Sequence, residues 1–294
     1  MHIQWYPGHM TKTRRMIGEN LKYVDVVAEV IDARIPIASR NPDIDDLVGS
    51  KPRAVILNRS DQADPAASKA WGAYFRSKGM SVLECDARSG AGVKQFSPVM
   101  REALKEQIAK WREKGQVGRP VRAMVVGIPN VGKSTFINKV AKKKSAKASD
   151  RPGVTRGKQW VTVDQGLELL DTPGILWPKF EDETIGLHLA FTGAVRDAIM
   201  DVETLAYHLI QLLAQRKPEA LLSRFKMEPQ EGMTGWEMLE LAGRKRGFLV
   251  SGGEVDLERT ANILLDEFRG GKMGRITLEM PEDLEKEGEA DGTP

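Results

Sequence analysis

Val121-Arg122-Ala123-Met124-Val125-Val126-Gly127-Ile128-Pro129-Asn130-Val131-Gly132-Lys133-Ser134 is the stretch that decides how this chain folds. Its first six residues are short, valine-rich and apolar apart from Arg122, as expected of a buried strand. The next eight fit G-x-x-x-x-G-K-[ST], and 135–140 read as a helix. A strand, a glycine-rich turn and a helix in that order form a phosphate cradle. The backbone N–H groups of Pro129-Asn130-Val131-Gly132 and their neighbours curl toward one point, proline excepted. The helix that opens at Lys133, Ser134 and Thr135 adds the favourable end of its dipole. Lys133 is placed to reach the β- and γ-phosphates and Ser134 to offer its hydroxyl to Mg²⁺.

Outward from this stretch, apolar runs alternate with helical patterns. Residues 24–31, 53–57 and 80–83 read as strands upstream, with a helix around 71–75 and a charged amphipathic helix over 96–114. Downstream, 160–163 and 168–170 read as strands joined by an Asp164-Gln165-Gly166 hairpin turn. Alternating strands and helices predict an α/β fold with a mostly parallel sheet. From about Arg196 the helical stretches 202–215, 218–225, 235–243 and 257–268 dominate, which predicts a smaller all-helical domain. The expected division is 1–195, 196–280 and an acidic tail at 281–294 with too few apolar residues to order itself.

Composition narrows the class. The chain has 294 residues, enough for two domains, and one cysteine, Cys85, which excludes an intrachain disulfide and suits a reducing compartment. Mean hydropathy is −0.37 and no apolar run approaches the ~18 residues of a membrane helix. Met1–Tyr6 lacks the basic-then-apolar layout of a secretory signal, so the expected location is cytoplasmic, with no membrane partner and no implied obligate oligomer. The net charge of +3 is unevenly spread: +10 over 1–195, −2 over 196–280 and −5 over 281–294. That asymmetry points to a polyanion facing the basic part.

Three further motifs select the nucleotide. Asp171-Thr172-Pro173-Gly174 follows an apolar strand 38 residues after Lys133. Asp171 is suited to holding the hydration shell of Mg²⁺, and the Gly174 N–H to meeting a γ-phosphate. Asn58-Arg59-Ser60-Asp61 also ends an apolar strand, and resembles the N-K-x-D motif of GTPases with arginine in place of lysine. The Asp61 carboxylate suits the N1–H and 2-amino donors of guanine, a pair adenine lacks. Asn58 can tie this loop to the phosphate cradle, and the stem of Arg59 can stack on the purine. Twenty-seven residues after Asn58, Cys85-Asp86-Ala87-Arg88 resembles the S-A-K loop, with Asp86, Ala87 and Arg88 at the base and the Ala87 N–H facing guanine O6.

These guanine-reading loops precede the phosphate cradle, the reverse of the usual GTPase order, so the domain reads as circularly permuted. With Trp5-Tyr6-Pro7-Gly8-His9-Met10, Asp32-Ala33-Arg34-Ile35-Pro36 and Arg246-Gly247-Phe248-Leu249, the motif order resembles the bacterial ribosome biogenesis GTPase A family, the YlqF type. The likeness spans nearly the whole chain except the acidic tail. It implies a circularly permuted P-loop GTPase fold, Rossmann-like, that takes GTP and GDP with Mg²⁺ and acts in late maturation of the large ribosomal subunit precursor, touching its rRNA.

The resemblance also assigns residues. Thr155, in Arg151-Pro152-Gly153-Val154-Thr155-Arg156, becomes the switch I threonine that coordinates Mg²⁺. Ile175 stands where many GTPases carry a water-orienting glutamine, which leaves His9 as the candidate for that work beside Lys133, Thr155 and Gly174. Related GTPases with asparagine at the position of Asn130 can bind K⁺ at the phosphates. For RNA, the candidates are Lys12, Arg14, Arg15 and Lys22, the run Lys142-Lys143-Lys144 with Lys147, and Arg244-Lys245-Arg246 near Trp236 and Phe248, two aromatics that read as core. Two other readings fit the motifs: a GTP-gated RNA-binding module with negligible hydrolysis, and a GTPase of translation or tRNA modification.

Overall fold

The structure is a computed structural model and describes residues 10–141, 160–171, 183–195 and 201–284. Two compact units divide them: 10–171 with 279–284, and 183–278.

The first unit is built on a six-stranded sheet. Its strands are β1 (Val26–Asp32), β2 (Arg53–Asn58), β3 (Ser81–Glu84), β4 (Val121–Val126), β5 (Trp160–Asp164) and β6 (Leu167–Asp171). They lie side by side as β3-β2-β1-β4-β6-β5, all parallel except β5 against β6. Every residue of β1 is buried, which is why it reads as an unbroken apolar run around Glu29. Glu29 is tolerated there because Arg40 and Arg53 pair with it at 3.0 and 3.3 Å.

Helices cover the sheet. From α1 (Met10–Leu21) and α2 (Asp43–Val48), Ile17, Leu21, Ile44 and Val48 cluster with Val27, Met124 and Leu170. Ile31 lies on the same side of β1 as Val27, since the residues alternate in pairs. There α3 (Pro65–Ser77) brings Trp71 and Phe75 against Ile31, Val55 and Leu57. The helix expected over 96–114 is two helices, α4 (Phe96–Ala103) and α5 (Lys105–Glu113). The break falls at Leu104, which is buried, whereas α5 buries no residue at all. Burying one leucine and then leaving the surface of the core turns the chain. Phe96 of α4 meets Phe136 of α6 (Lys133–Val140) edge to face, with centroids 5.2 Å apart.

The second unit contains α7 (Glu183–Phe191), α8 (Val202–Arg216), α9 (Pro218–Phe225), α10 (Gly235–Arg246) and α11 (Leu257–Arg269). Asp201, Thr234 and Asp256 cap α8, α10 and α11, the middle one in a full capping box with Glu237. Leu205, Leu209 and Leu213 of α8 are fully buried at helical spacing.

The expected division differs from these units at both ends. Helix α7, upstream of 196, belongs to the helical unit: Arg269 of α11 donates to the carbonyls of Ala190 and Phe191 at 2.7 and 3.1 Å. Residues 279–284 return to the first unit instead of beginning a free tail. The Glu279 carboxylate accepts from the N–H groups of Ile37 (2.7 Å) and Ala38 (3.2 Å), and its carbonyl accepts from Trp71 Nε1 (2.9 Å). Leu284 packs on the Trp71–Phe75 cluster. The remainder of the tail, from 285, lies outside the described residues.

Candidate nucleotide site

All five parallel strands end on one edge of the sheet, and the motifs sit along it. In open parallel sheets ligands bind at this carboxyl edge, where the strand order reverses. Here that point lies between β1 and β4, since the chain runs from β1 through β2 to β3 on one side and from β4 to β6 on the other.

The cradle after β4 has the backbone its sequence demands. Asn130 is left-handed at φ 64° and Gly132 at φ 90°, after which α6 opens on Lys133. Glycine at 132 is also required by space, because a Cβ there would stand 2.5 Å from Asn58 Nδ2. A Cβ at Gly127 would stand 2.6 Å from the Val30 carbonyl oxygen, so the loop can leave β4 against β1 only without a side chain. Lys133 is buried, Pro129 half-buried, and Ser134 and Thr135 are exposed at the helix start.

Asn58 joins the loops. Its Nδ2 donates to the Val131 carbonyl at 2.8 Å, and its Oδ1 accepts from the Ala87 N–H at 3.0 Å and more weakly from Cys85 Sγ at 3.8 Å. One buried amide thus holds the phosphate cradle and the Cys85-Asp86-Ala87-Arg88 loop together, across 73 and 29 residues of sequence. The Ala87 N–H, expected to meet guanine O6, is engaged by Asn58 here; facing a base as well makes it a shared donor.

Asp86 has a different place from the one its motif suggests. Its carboxylate accepts from the Arg88 and Ser89 N–H groups at 2.8 and 3.0 Å, closing the turn. Burial pushes its carboxyl up, but those hydrogen bonds from Ser89 and Arg88 outweigh it and hold it below the ordinary aspartate range. It shapes the loop. Lys139 of α6 fastens the same loop by donating to the Arg88 carbonyl at 3.2 Å.

Arg59 bridges two elements. Its backbone is left-handed at φ 59°, its Nη2 donates to the Asn130 carbonyl at 3.0 Å, and its Nε lies 3.5 Å from Asp32 Oδ2. Asp61, two residues on, is exposed, with no hydrogen-bond partner among the described residues.

Asp171 ends β6 directly beside Val125 of β4, so its backbone reaches the cradle edge. His9, Thr155 and Gly174 lie outside the described residues, as do Lys142–Lys144 and Lys147. Sequence reasoning missed Asp32 as a member of this edge, although the register of β1 on β2 puts Asp32 opposite Asn58. Its signal was the Asp32-Ala33-Arg34 stretch, quoted above only for resemblance.

In the helical unit, Arg246 is engaged within the fold. It donates to the Arg224 carbonyl (2.8 Å), pairs with Glu267 and lies 5.3 Å from the Phe248 ring centroid. Phe248 is buried as expected, but Trp236 is 41% exposed, set against Tyr207 at 5.2 Å between ring centroids.

The geometry has counterparts among known proteins. A family model described as a 50S ribosome-binding GTPase matches residues 122–230. Ribosome biogenesis GTPase A of Bacillus cereus is 47% identical, the match covering 97% of this chain and 96% of that protein. Ribosome biogenesis GTPase A of Priestia megaterium is 48% identical, covering 97% and 99%. The chain belongs to the ribosome biogenesis GTPase A family. As a member of it, the protein is a GTPase that binds guanine nucleotide. A solved structure within the reach of this family, GNP-bound YlqF from T. maritima, is 29% identical with TM-score 0.65, covering 92% of this chain and 99% of that one. The family model starts inside β4, so it takes in the phosphate cradle and leaves the Asn58 and Ala87 loops upstream, in keeping with the permuted order. Among the described residues no helix is long and apolar enough to cross a membrane.

Proposed function

We propose that this GTPase acts in late maturation of the large ribosomal subunit, in the cytoplasm, binding the precursor and its rRNA in the GTP state and leaving after hydrolysis. The observation that carries the nucleotide half of this reading is the Asn58 amide, which gathers the phosphate cradle and the Ala87 loop at one edge of the sheet. The ribosomal half rests on the names of the relatives and on the +10 balance of residues 1–195, which suits phosphate contact.

In this reading the cradle N–H groups and Lys133 hold the β- and γ-phosphates, and Asp61 reads the guanine N1–H and 2-amino group. The hydroxyl donors fit a hard divalent cation. Ser134 is exposed at the first turn of α6 and Asp171 ends the adjacent strand, so Ser134, with Thr155 and the Asp171 carboxylate behind it, would hold Mg²⁺. When bound, that ion supplies neutralisation of the phosphate charge. Lys133 stabilises charge developing on the γ-phosphate, and His9 orients the attacking water in place of the missing glutamine.

Two measurements test this. Asp61→Asn is expected to lose GTP affinity by 100-fold or more, about 3 kcal/mol for two hydrogen bonds to a charged carboxylate, and to gain xanthosine nucleotides; unchanged GTP affinity would remove Asp61 from base reading. His9→Ala is expected to lower ribosome-stimulated turnover about 100-fold with GTP affinity unchanged; full turnover would take His9 out of the mechanism.

A further inference from the structure

Beside the nucleotide loops lies an ion cluster that nucleotide binding as described above does not use. Asp32 closes β1 and is 3% exposed, and Arg34 is 1% exposed. Asp32 Oδ1 accepts from the Arg34 N–H and Nε, each at 3.0 Å, and Oδ2 accepts from Arg34 Nη2 at 2.8 Å. The Asp32 N–H is satisfied by Ser39 Oγ at 2.9 Å. A carboxylate gripped side-on in this way cannot rotate. Its Oδ2 also lies 3.5 Å from Arg59 Nε.

Arg59 therefore has two anchors on two different nitrogens: Nε toward Asp32 and Nη2 toward the Asn130 carbonyl of the cradle. The pair fixes a side chain whose own backbone is strained, since a non-glycine residue at φ 59° is held there only by its surroundings. Strand register produces the arrangement: Asp32 stands opposite Asn58, so the residue after Asn58 meets the carboxylate that ends β1. Arginine in place of the lysine of N-K-x-D becomes intelligible on this geometry. A lysine carries all its donors on one nitrogen at the tip, and cannot serve an anchor at the Nε position and another beyond it.

We propose that Asp32, locked by Arg34, is a positioning residue for guanine nucleotide: it orients the Arg59 guanidinium so that one face lies flat for the purine while its far edge holds the phosphate cradle. This rests on the reading that Asn58–Asp61 contacts the base. The cluster makes residue 59 specific for arginine in this chain, and links the strand end of β1 to nucleotide affinity without touching the nucleotide.

The test is a double-mutant cycle on the full chain, reading the affinity of a fluorescent GDP in Mg²⁺ buffer. Arg59→Lys and Asp32→Asn are each expected to weaken GDP about tenfold, since either loosens the guanidinium that donates to the Asn130 carbonyl. The double variant is expected to be no weaker than either alone, a coupling that general loosening of the fold does not produce. Multiplying losses, about a hundredfold in the double variant, would overturn the proposal. Asp32→Asn leaves Arg34 without its buried partner and can cost the fold, so Arg59→Lys stands by itself as a second arm. Arg59 is 29% exposed, and its lysine variant should melt like the parent; GDP affinity equal to the parent's would overturn the proposal. Asp61→Asn separates the two levels. If it leaves guanine affinity intact, the base-reading assignment fails and the positioning role with it; if it abolishes guanine affinity while Arg59→Lys is neutral, the positioning role alone fails.

Discussion

At the scale of single residues, side chains at this site serve each other before they serve a ligand. Asn58, Asp86 and Asp32 each satisfy neighbouring loops, and Cys85 sits among them, 1% exposed. Burial, and then the charge of Asp86, pushes the Cys85 thiol up to about 12. With so little thiolate at pH 8, the native protein is expected to resist iodoacetamide and to react only after unfolding. Rapid stoichiometric alkylation of the folded chain would contradict this packing. The residue types of the site were legible from spacing: Gly132, Lys133, Ser134 and Asn58 stand where a phosphate cradle and a base loop need them. Asp32 was not, because its partner Arg59 is 27 residues away and only the β1–β2 register brings them together. The triplet Arg244-Lys245-Arg246 is likewise divided by the fold, which leaves Arg244 exposed and engages Arg246. In sequence it is one basic run, whereas in the fold Arg246 is spent on Glu267, Arg224 and Phe248.

At the scale of elements, strands were easier to read than boundaries. The central strands β1, β2 and β4 coincide with apolar runs because they are buried almost throughout, whereas the edge strands β3 and β5 are only partly buried and show as shorter, mixed runs. Helix α2 is only six residues long and opens on three aspartates, too short to show a period. Helix α7 was missed although it is apolar, because it is apolar all round and has no amphipathic stripe. The return of 279–284 was hidden by its acidic setting. Glu279 reads as one more solvated charge, yet its carboxylate caps the turn after β1 while its carbonyl takes the indole N–H of Trp71. Glu279→Ala leaves two N–H groups without this acceptor and should cost the first unit about 1–3 kcal/mol in urea unfolding. A midpoint unchanged from the parent would mean that the strap adds nothing.

At the scale of the whole chain, permutation turns motif order into a mechanical arrangement. β6 ends at Asp171, the helical unit follows, and the chain then comes back to the first unit at Glu279. The helical unit is therefore an insertion in the GTPase unit: the chain leaves that unit after the D-T-P-G motif and resumes it at Glu279, whose carboxylate accepts from the Ile37 and Ala38 N–H groups. An event at the γ-phosphate has a short covalent route to the unit proposed to contact the ribosome. Nucleotide-gated binding to the large subunit is read out by sedimentation of the full protein with purified ribosomal particles, loaded in turn with a non-hydrolysable GTP analogue and with GDP. The analogue-bound protein is expected to travel with the large subunit and the GDP-bound protein to stay at the top of the gradient. Equal association in both nucleotide states, or association with the small subunit alone, would contradict such gating.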